Sequence, residues 1–141
     1  PLVPADDGDQ HRGLGSGRWG GLPQPGMLKA MADRVKRFLG VERLQLVGRL
    51  DQPVTRVAVA CGSGGSLLDA TCRAQCDCLV TGEATFHTCL AAEARDVGLI
   101  LAGHYASERF AVETLAETLA ARLEGVEVWP SRDERTPLRW T

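Results

Sequence analysis

From Met27 onward, apolar and charged positions separate with a period near that of a helix. Leu28, Met31, Ala32, Val35, Phe38 and Leu39 recur three and four apart, while Lys29, Asp33, Arg34, Lys36 and Arg37 fall between them. That spacing predicts an amphipathic helix stopped near Gly40, whose apolar stripe needs a sheet to lie on. The period then shortens. ERLQLVGRL (42–50) alternates through Leu44, Leu46 and Gly48, and VTRVAVACG (54–62) reads as a second, more buried strand after an Asp51-Gln52-Pro53 turn.

The remainder repeats one theme. LLDATCRAQ predicts a short helix, CDCLVTG a strand, ATFHTCLAAEARDV a helix and GLILAG a strand. ERFAVETLAETLAARLEG follows as a long helix striped by Phe110, Leu115, Leu119 and Leu123, and VEVWP (126–130) suits a closing strand. The order α-β-(β-α)3 places the chain in the α/β class: a layered domain with a mixed sheet, parallel where the β-α units cross over, and helices on its faces. Residues 1–26 differ, with seven glycines, four prolines and almost no periodicity. They form an arm and edge segment in which GLGSGRWGGL (13–22) suits a short edge strand or a lip over a pocket, with Trp19 packed; residues 27–141 form a single α/β domain.

Composition adds limits. The 141 residues, 44% hydrophobic and 24% charged, suit one compact domain. A formal charge of -2 gives no electrostatic case for nucleic acid or an anionic membrane. No stretch approaches the ~20 apolar residues of a membrane span, and PLVPADDGDQHRG lacks the features of a secretory signal, so a soluble, cytoplasmic protein is expected. Five cysteines, an odd number, argue for reduced thiols. CxxxCxC (Cys72, Cys76, Cys78) straddles a helix end and a strand start, which favours packing over zinc. Cys61, at a strand end, is the candidate reactive thiol, and Asp77 is expected to bond backbone amides.

In open α/β sheets, ligands sit beyond the carboxyl ends of the strands. Three segments end their strands there with small or polar residues: CGSGGS (61–66), TGE (81–83) and AGHYASE (102–108). On this rim His104 follows Gly103, Ser107 is typed to cap the next helix, and Glu108 falls in its first turn. Two readings stay open for His104 and Glu108: a pair of metal ligands, or a locally bonded loop histidine beside simple helix-start electrostatics. Glu83 and, four residues on, His87 bring a second carboxylate and imidazole to the same rim. Such a set suits Zn, Fe or Mn better than calcium. The only other histidine is His11, in the arm. CGSGGS lacks both the GxxxxGKS/T lysine motif and the GxGxxG order, so close backbone approach to a neighbouring element is its better explanation. No nucleophile elbow surrounds Ser107. In the tail, Arg132, Arg135 and Arg139 read as surface solvation, with anion binding the alternative.

GLGSGRWGGL, VKRFLGV, VTRVAVACGSGGSLLDA, CDCLVTGEATFH and above all GHYASE resemble, in order, the C-terminal half of the GTP cyclohydrolase 1 type 2 homologue family, the NGG-interacting-factor-three-like proteins. The resemblance implies one of two similar α/β halves built around a dinuclear metal centre, in a homo-oligomer that is often a hexamer. It assigns His104 and Glu108 as metal ligands, with His87 and Glu83 beside the centre to pass a proton or orient water. The family's remaining ligands include an adjacent histidine pair, which this sequence lacks. The implied activity is hydrolysis of a nucleotide or small phosphoester, dependent on two divalent ions. The competing expectation is a non-catalytic metal-binding scaffold or interaction protein.

Overall fold

The computed structural model describes residues 1–4 and 14–139 of the chain; His11, with Asp6, Asp7 and Asp9 near it, lies outside them. A short ribbon pairs β1 (Val3–Pro4) with β2 (Gly15–Ser16), antiparallel. The main sheet contains β3 (Arg18–Met27), β4 (Gln45–Val47), β5 (Pro53–Ala60), β6 (Cys78–Thr81) and β7 (Gly98–Leu101) in the spatial order β3-β5-β6-β7-β4. Its centre, β5-β6-β7, is parallel, and both outer strands run antiparallel to their neighbours. The helices are α1 (Leu28–Leu39), α2 (Leu68–Arg73), α3 (Phe86–Glu93) and α4 (His104–Arg122), with a 3-10 turn at Gly64–Leu67 before α2. The expected α/β class with a mixed sheet is what the chain adopts.

Strand alternation sends side chains to two cores. Ala58, Ala60, Leu79, Leu99 and Leu101 pack with Leu68, Ala70 and Ala92, from α2 and α3. Val57, Cys78 and Ile100 point the other way, to Leu28 and Ala32 of α1. The α1 stripe thus finds its sheet. The start of α1 has no side-chain cap, and its first amides are satisfied instead by Gln52 O, bonded to Leu28 N at 2.9 Å, and Leu50 O, bonded to Lys29 N at 3.0 Å. Gly40 ends the helix in the left-handed conformation, with its N–H donated to Lys36 O.

The edge segment expected in 13–22 pairs as β3 with β5 and extends to Met27, with a register shift between Gly21 and Gly26. Pro23 and Pro25 fall inside that irregularity, where an edge strand tolerates missing N–H donors. Trp19 lies on β3 with the Arg56 guanidinium 4.6 Å over its ring. Asp77 precedes β6 and accepts from Thr55 N (2.6 Å), Thr55 Oγ1 (2.7 Å) and Arg56 N (2.8 Å), as its sequence position suggested. All five cysteines are free; Cys76 and Cys78 are buried, consistent with a packing role.

Two expectations need correction. VEVWP forms no strand: residues 126–130 lie outside the sheet, with Val126 and Trp129 exposed. Period-two alternation is a local signal, whereas a strand also needs a partner, and residues 126–130 pair with neither edge strand, β3 nor β4. Ser107 is not a cap either. The chain turns at Gly103 (φ 88°) and α4 begins at His104, four residues earlier than the sequence pattern indicated.

Candidate metal-binding rim

The loops after β5, β6 and β7 are stitched together at their backbones. Gly62 O accepts from Gly82 N (3.0 Å) and Glu83 N (2.9 Å), and Gly82 O accepts from Gly103 N (2.9 Å). Thr81 Oγ1 donates to Gly62 O (3.1 Å) and accepts from Gly64 N (3.0 Å). Ser107 Oγ accepts from Gly62 N and donates to His104 O, both at 2.9 Å. These bonds leave little room for side chains: a Cβ on Gly82 would sit 2.7 Å from Gly62 O and 2.9 Å from His104 Cα. Three separate sequence segments are thereby locked into one rim, the arrangement expected from their positions at strand ends.

On it, His104 stands between two carboxylates. Its Nδ1 lies 3.2 Å from Glu83 Oε2, and its Nε2 lies 3.2 Å from Glu108 Oε2, one helical turn on. Ser63 Oγ donates to the same Glu83 oxygen at 3.1 Å. The imidazole is about half exposed (46%), so the cluster faces solvent rather than core. The hydrogen bond to Glu83 and the charge of Glu108 raise the His104 imidazole above its ordinary range. Reciprocally, hydrogen bonds from His104 and Ser63 hold the Glu83 carboxyl below its usual value.

The two faces of the ring differ chemically. A carboxylate on Nδ1 fixes tautomer and ring orientation, which leaves Nε2 as the lone-pair donor. Nε2 and Glu108 then form a nitrogen–oxygen pair on one side, over a backbone that comes unusually close. Gly62 has φ 63°, and a Cβ there would overlap Glu108 Oε1 and reach 3.2 Å from His104 Nε2. The glycine keeps a space beside both donor atoms that any side chain would fill. This donor chemistry and this cradle fit a divalent ion as a partial site. Among the described residues, no three His, Cys, Asp or Glu side chains form a set that would hold an ion alone.

The structure therefore brings together His104, Glu108 and Glu83, but not His87. His87 is exposed on α3, its ring 6.4 Å from that of Phe86, and it has no hydrogen bond or ion pair with the three among the described residues. Gly62, Ser63 and Ser107 were missed as site residues; CGSGGS signalled close backbone approach without saying to what. Burial, then the charge of Glu108, push the Cys61 thiol up, which works against the reactive thiolate considered for it.

The comparisons with known proteins agree with one another. The family model for Duf34/NIF3 (NGG1p interacting factor 3) matches residues 5–137. NIF3-like protein 1 from Rattus norvegicus is 37% identical over 130 residues, covering 89% of this chain and 34% of that protein. The NIF3 homologue of Schizosaccharomyces pombe is 33% identical over 118 residues, 80% of this chain and 41% of that one. A Haemophilus influenzae protein named GTP cyclohydrolase 1 type 2 homolog is 28% identical over 102 residues, 72% of this chain and 41% of its own. Among solved structures, a Bacillus cereus protein related to NIF3 superposes with a TM-score of 0.77 at 27% identity, over 91% of this chain and 36% of that one. A protein from Thermus thermophilus gives 0.68 at 29% identity, over 97% of this chain and 50% of that one. The chain spans about a third of the length of the mammalian relatives it matches.

Proposed function

The chain belongs to the Duf34/NIF3 family, and from that premise we propose that it supplies part of the metal site of a metal-dependent hydrolase. The observation that carries this reading is the placement of His104 Nε2 and Glu108 Oε2, 3.2 Å apart, over the bare backbone of Gly62. His104 and Glu108 would hold the ion, Zn, Fe or Mn by donor type. Two donors are too few for a closed site, so further ligands come from elsewhere in a longer protein or assembly, a homo-oligomer of similar halves with two ions at the centre.

When bound, a divalent ion supplies Lewis-acid charge to a substrate oxygen and acidifies water. The residues of this chain do the rest. Glu83 accepts from His104 Nδ1 and, with Ser63, holds the ring so that Nε2 faces the cradle. Glu83 also keeps a carboxylate at the rim to take a proton from attacking water, while His87, exposed on α3, makes no bond to the other three among the described residues. The substrate class is a nucleotide or small phosphoester.

Metal analysis of the complete protein tests the assignment. His104→Ala and Glu108→Ala should each lose most of the bound Zn, Fe or Mn and, with it, metal-dependent turnover of GTP and bis(4-nitrophenyl) phosphate. Unchanged metal content would remove the ligand assignment; metal bound in wild type without turnover would leave the scaffold reading instead.

A further inference from the structure

A cavity of about 740 Å³ opens directly beside His104. Its walls come from three places: the C-terminal end of α1 with Phe38, the first turns of α4 with His104, Tyr105 and Phe110, and the tail with Thr136 and Leu138. That volume falls in the range of small-molecule sites. The inner wall is aromatic, with the rings of Phe38 and Phe110 in edge-to-face contact at 5.4 Å.

The outer wall is a strap of chain held by two side chains of α4. Arg109 Nη2 donates to Ser131 O at 2.6 Å, and Arg109 Nε lies 3.6 Å from the Glu134 carboxylate. Tyr105 donates its hydroxyl to Glu134 O at 3.0 Å. The Arg109 side chain is only 17% exposed, so the charge is spent on the strap and on Glu113, 3.5 Å from Nη1, rather than on solvent. A planar fork reaching several acceptors is a task that a lysine point charge does poorly. One turn of α4 thus presents His104 to the rim and, through the next residues, closes the far side of the chamber.

We propose that this chamber binds the substrate body, a small molecule with an aromatic or apolar portion whose polar group meets His104, and that Arg109 is the positioning residue that sets its outer wall. The assignment rests on the metal-site reading for what happens at His104, but not for the existence of the chamber. Arg109 lines the chamber with its guanidinium engaged by Ser131, Glu134 and Glu113, so its effect is on fit rather than on the reacting groups.

The test uses complete, metal-loaded protein, with 8-anilinonaphthalene-1-sulfonate as an aromatic binding probe. Arg109→Ala releases the wall, and Ala106→Trp fills the chamber from α4 while keeping the Arg109 and Tyr105 bonds that hold the strap. In Arg109→Ala, trypsin should cut after Arg132 and Arg135 about tenfold faster than in wild type, the measure of a freed strap. Dye affinity should weaken about tenfold in both variants, equivalent to roughly 1.4 kcal/mol, with metal content unchanged. With bis(4-nitrophenyl) phosphate, Arg109→Ala should raise KM and leave kcat within about twofold, because fit and not chemistry is altered. Dye affinity unchanged in Ala106→Trp overturns the chamber, even if Arg109→Ala fails to fold. A strap equally resistant to trypsin in Arg109→Ala and wild type overturns the role of Arg109. Failure of metal binding in wild type with the dye losses intact would defeat the hydrolase reading alone.

Discussion

Gly62 is the residue on which the site is most sensitive to a single atom. Its φ of 63° lies where a Cβ costs about 1–2 kcal/mol, and the added methyl would also overlap Glu108 Oε1. Gly62→Ala should therefore do two things that separate in measurement. Folding stability should fall by about that 1–2 kcal/mol in denaturant titration, while metal content should fall nearly as far as in His104→Ala. Metal content that survives the substitution would mean that the ion does not use the space beside Glu108. The sequence made His104, Glu108 and Glu83 legible through their positions at strand ends, because a strand's end is encoded locally by glycine and small polar residues. It did not make Gly62 legible as a partner of Glu108. The two are 46 positions apart, and only the β5-β6-β7 register brings them together. His87 is the reverse case: four residues after Glu83 in sequence, it lies exposed in the first turn of α3, which Thr85 caps through Thr88 N at 3.2 Å, and it makes no bond to the other three among the described residues.

At the scale of elements, the periodic helices and the buried strands were readable, and their junctions were not. The end of α1 at Gly40 is written in one residue, but the start of α4 is decided by a turn at Gly103 that frees Ser107 to brace Gly62. A side chain spent on a neighbouring loop gives no capping signature of its own. Asp77 is the opposite case, a local polar residue whose task at the β5–β6 junction was readable. Burial alone pushes its carboxyl up, but the hydrogen bonds from Thr55 and Arg56 outweigh this and hold it below the ordinary 3.8. A lowered folded-state value means that its stabilisation is present above the normal carboxylate range and is lost as pH falls through the folded-state value. Asp77→Ala should cost about 2 kcal/mol near neutral pH, since two backbone amides lose their acceptor. The gap from wild type should narrow below about pH 4 as the native carboxyl is protonated. Urea titrations of both proteins across that range measure it, and a gap independent of pH would remove the charge from the explanation.

For the whole molecule, the sheet has unequal covers. The α2/α3 face is packed, whereas much of α4 stands free: Ser107 and Ala116 are its buried residues, and Val112, Leu115 and Leu119, with Leu123 just past its end, are exposed. Side chains of this kind leave α4 with an apolar stripe at the surface. The hydrophobic period predicted Leu115, Leu119 and Leu123 of that stripe, yet period alone cannot say whether a stripe meets its own sheet, as in α1, or stays at the surface. The rim sits at the start of α4, so an ion held there by His104 and Glu108 would join the loop after β5 to that helix. Binding to the folded state alone adds stability by mass action, about 2.7 kcal/mol at a hundredfold excess over Kd. Chelating the metal from the complete protein should therefore lower its Tm by several degrees, and readdition of Zn, Fe or Mn should restore it. The same treatment of His104→Ala should move Tm little, because the linkage passes through that imidazole. An equal drop in both proteins would place the stabilising ion at some other point in the molecule.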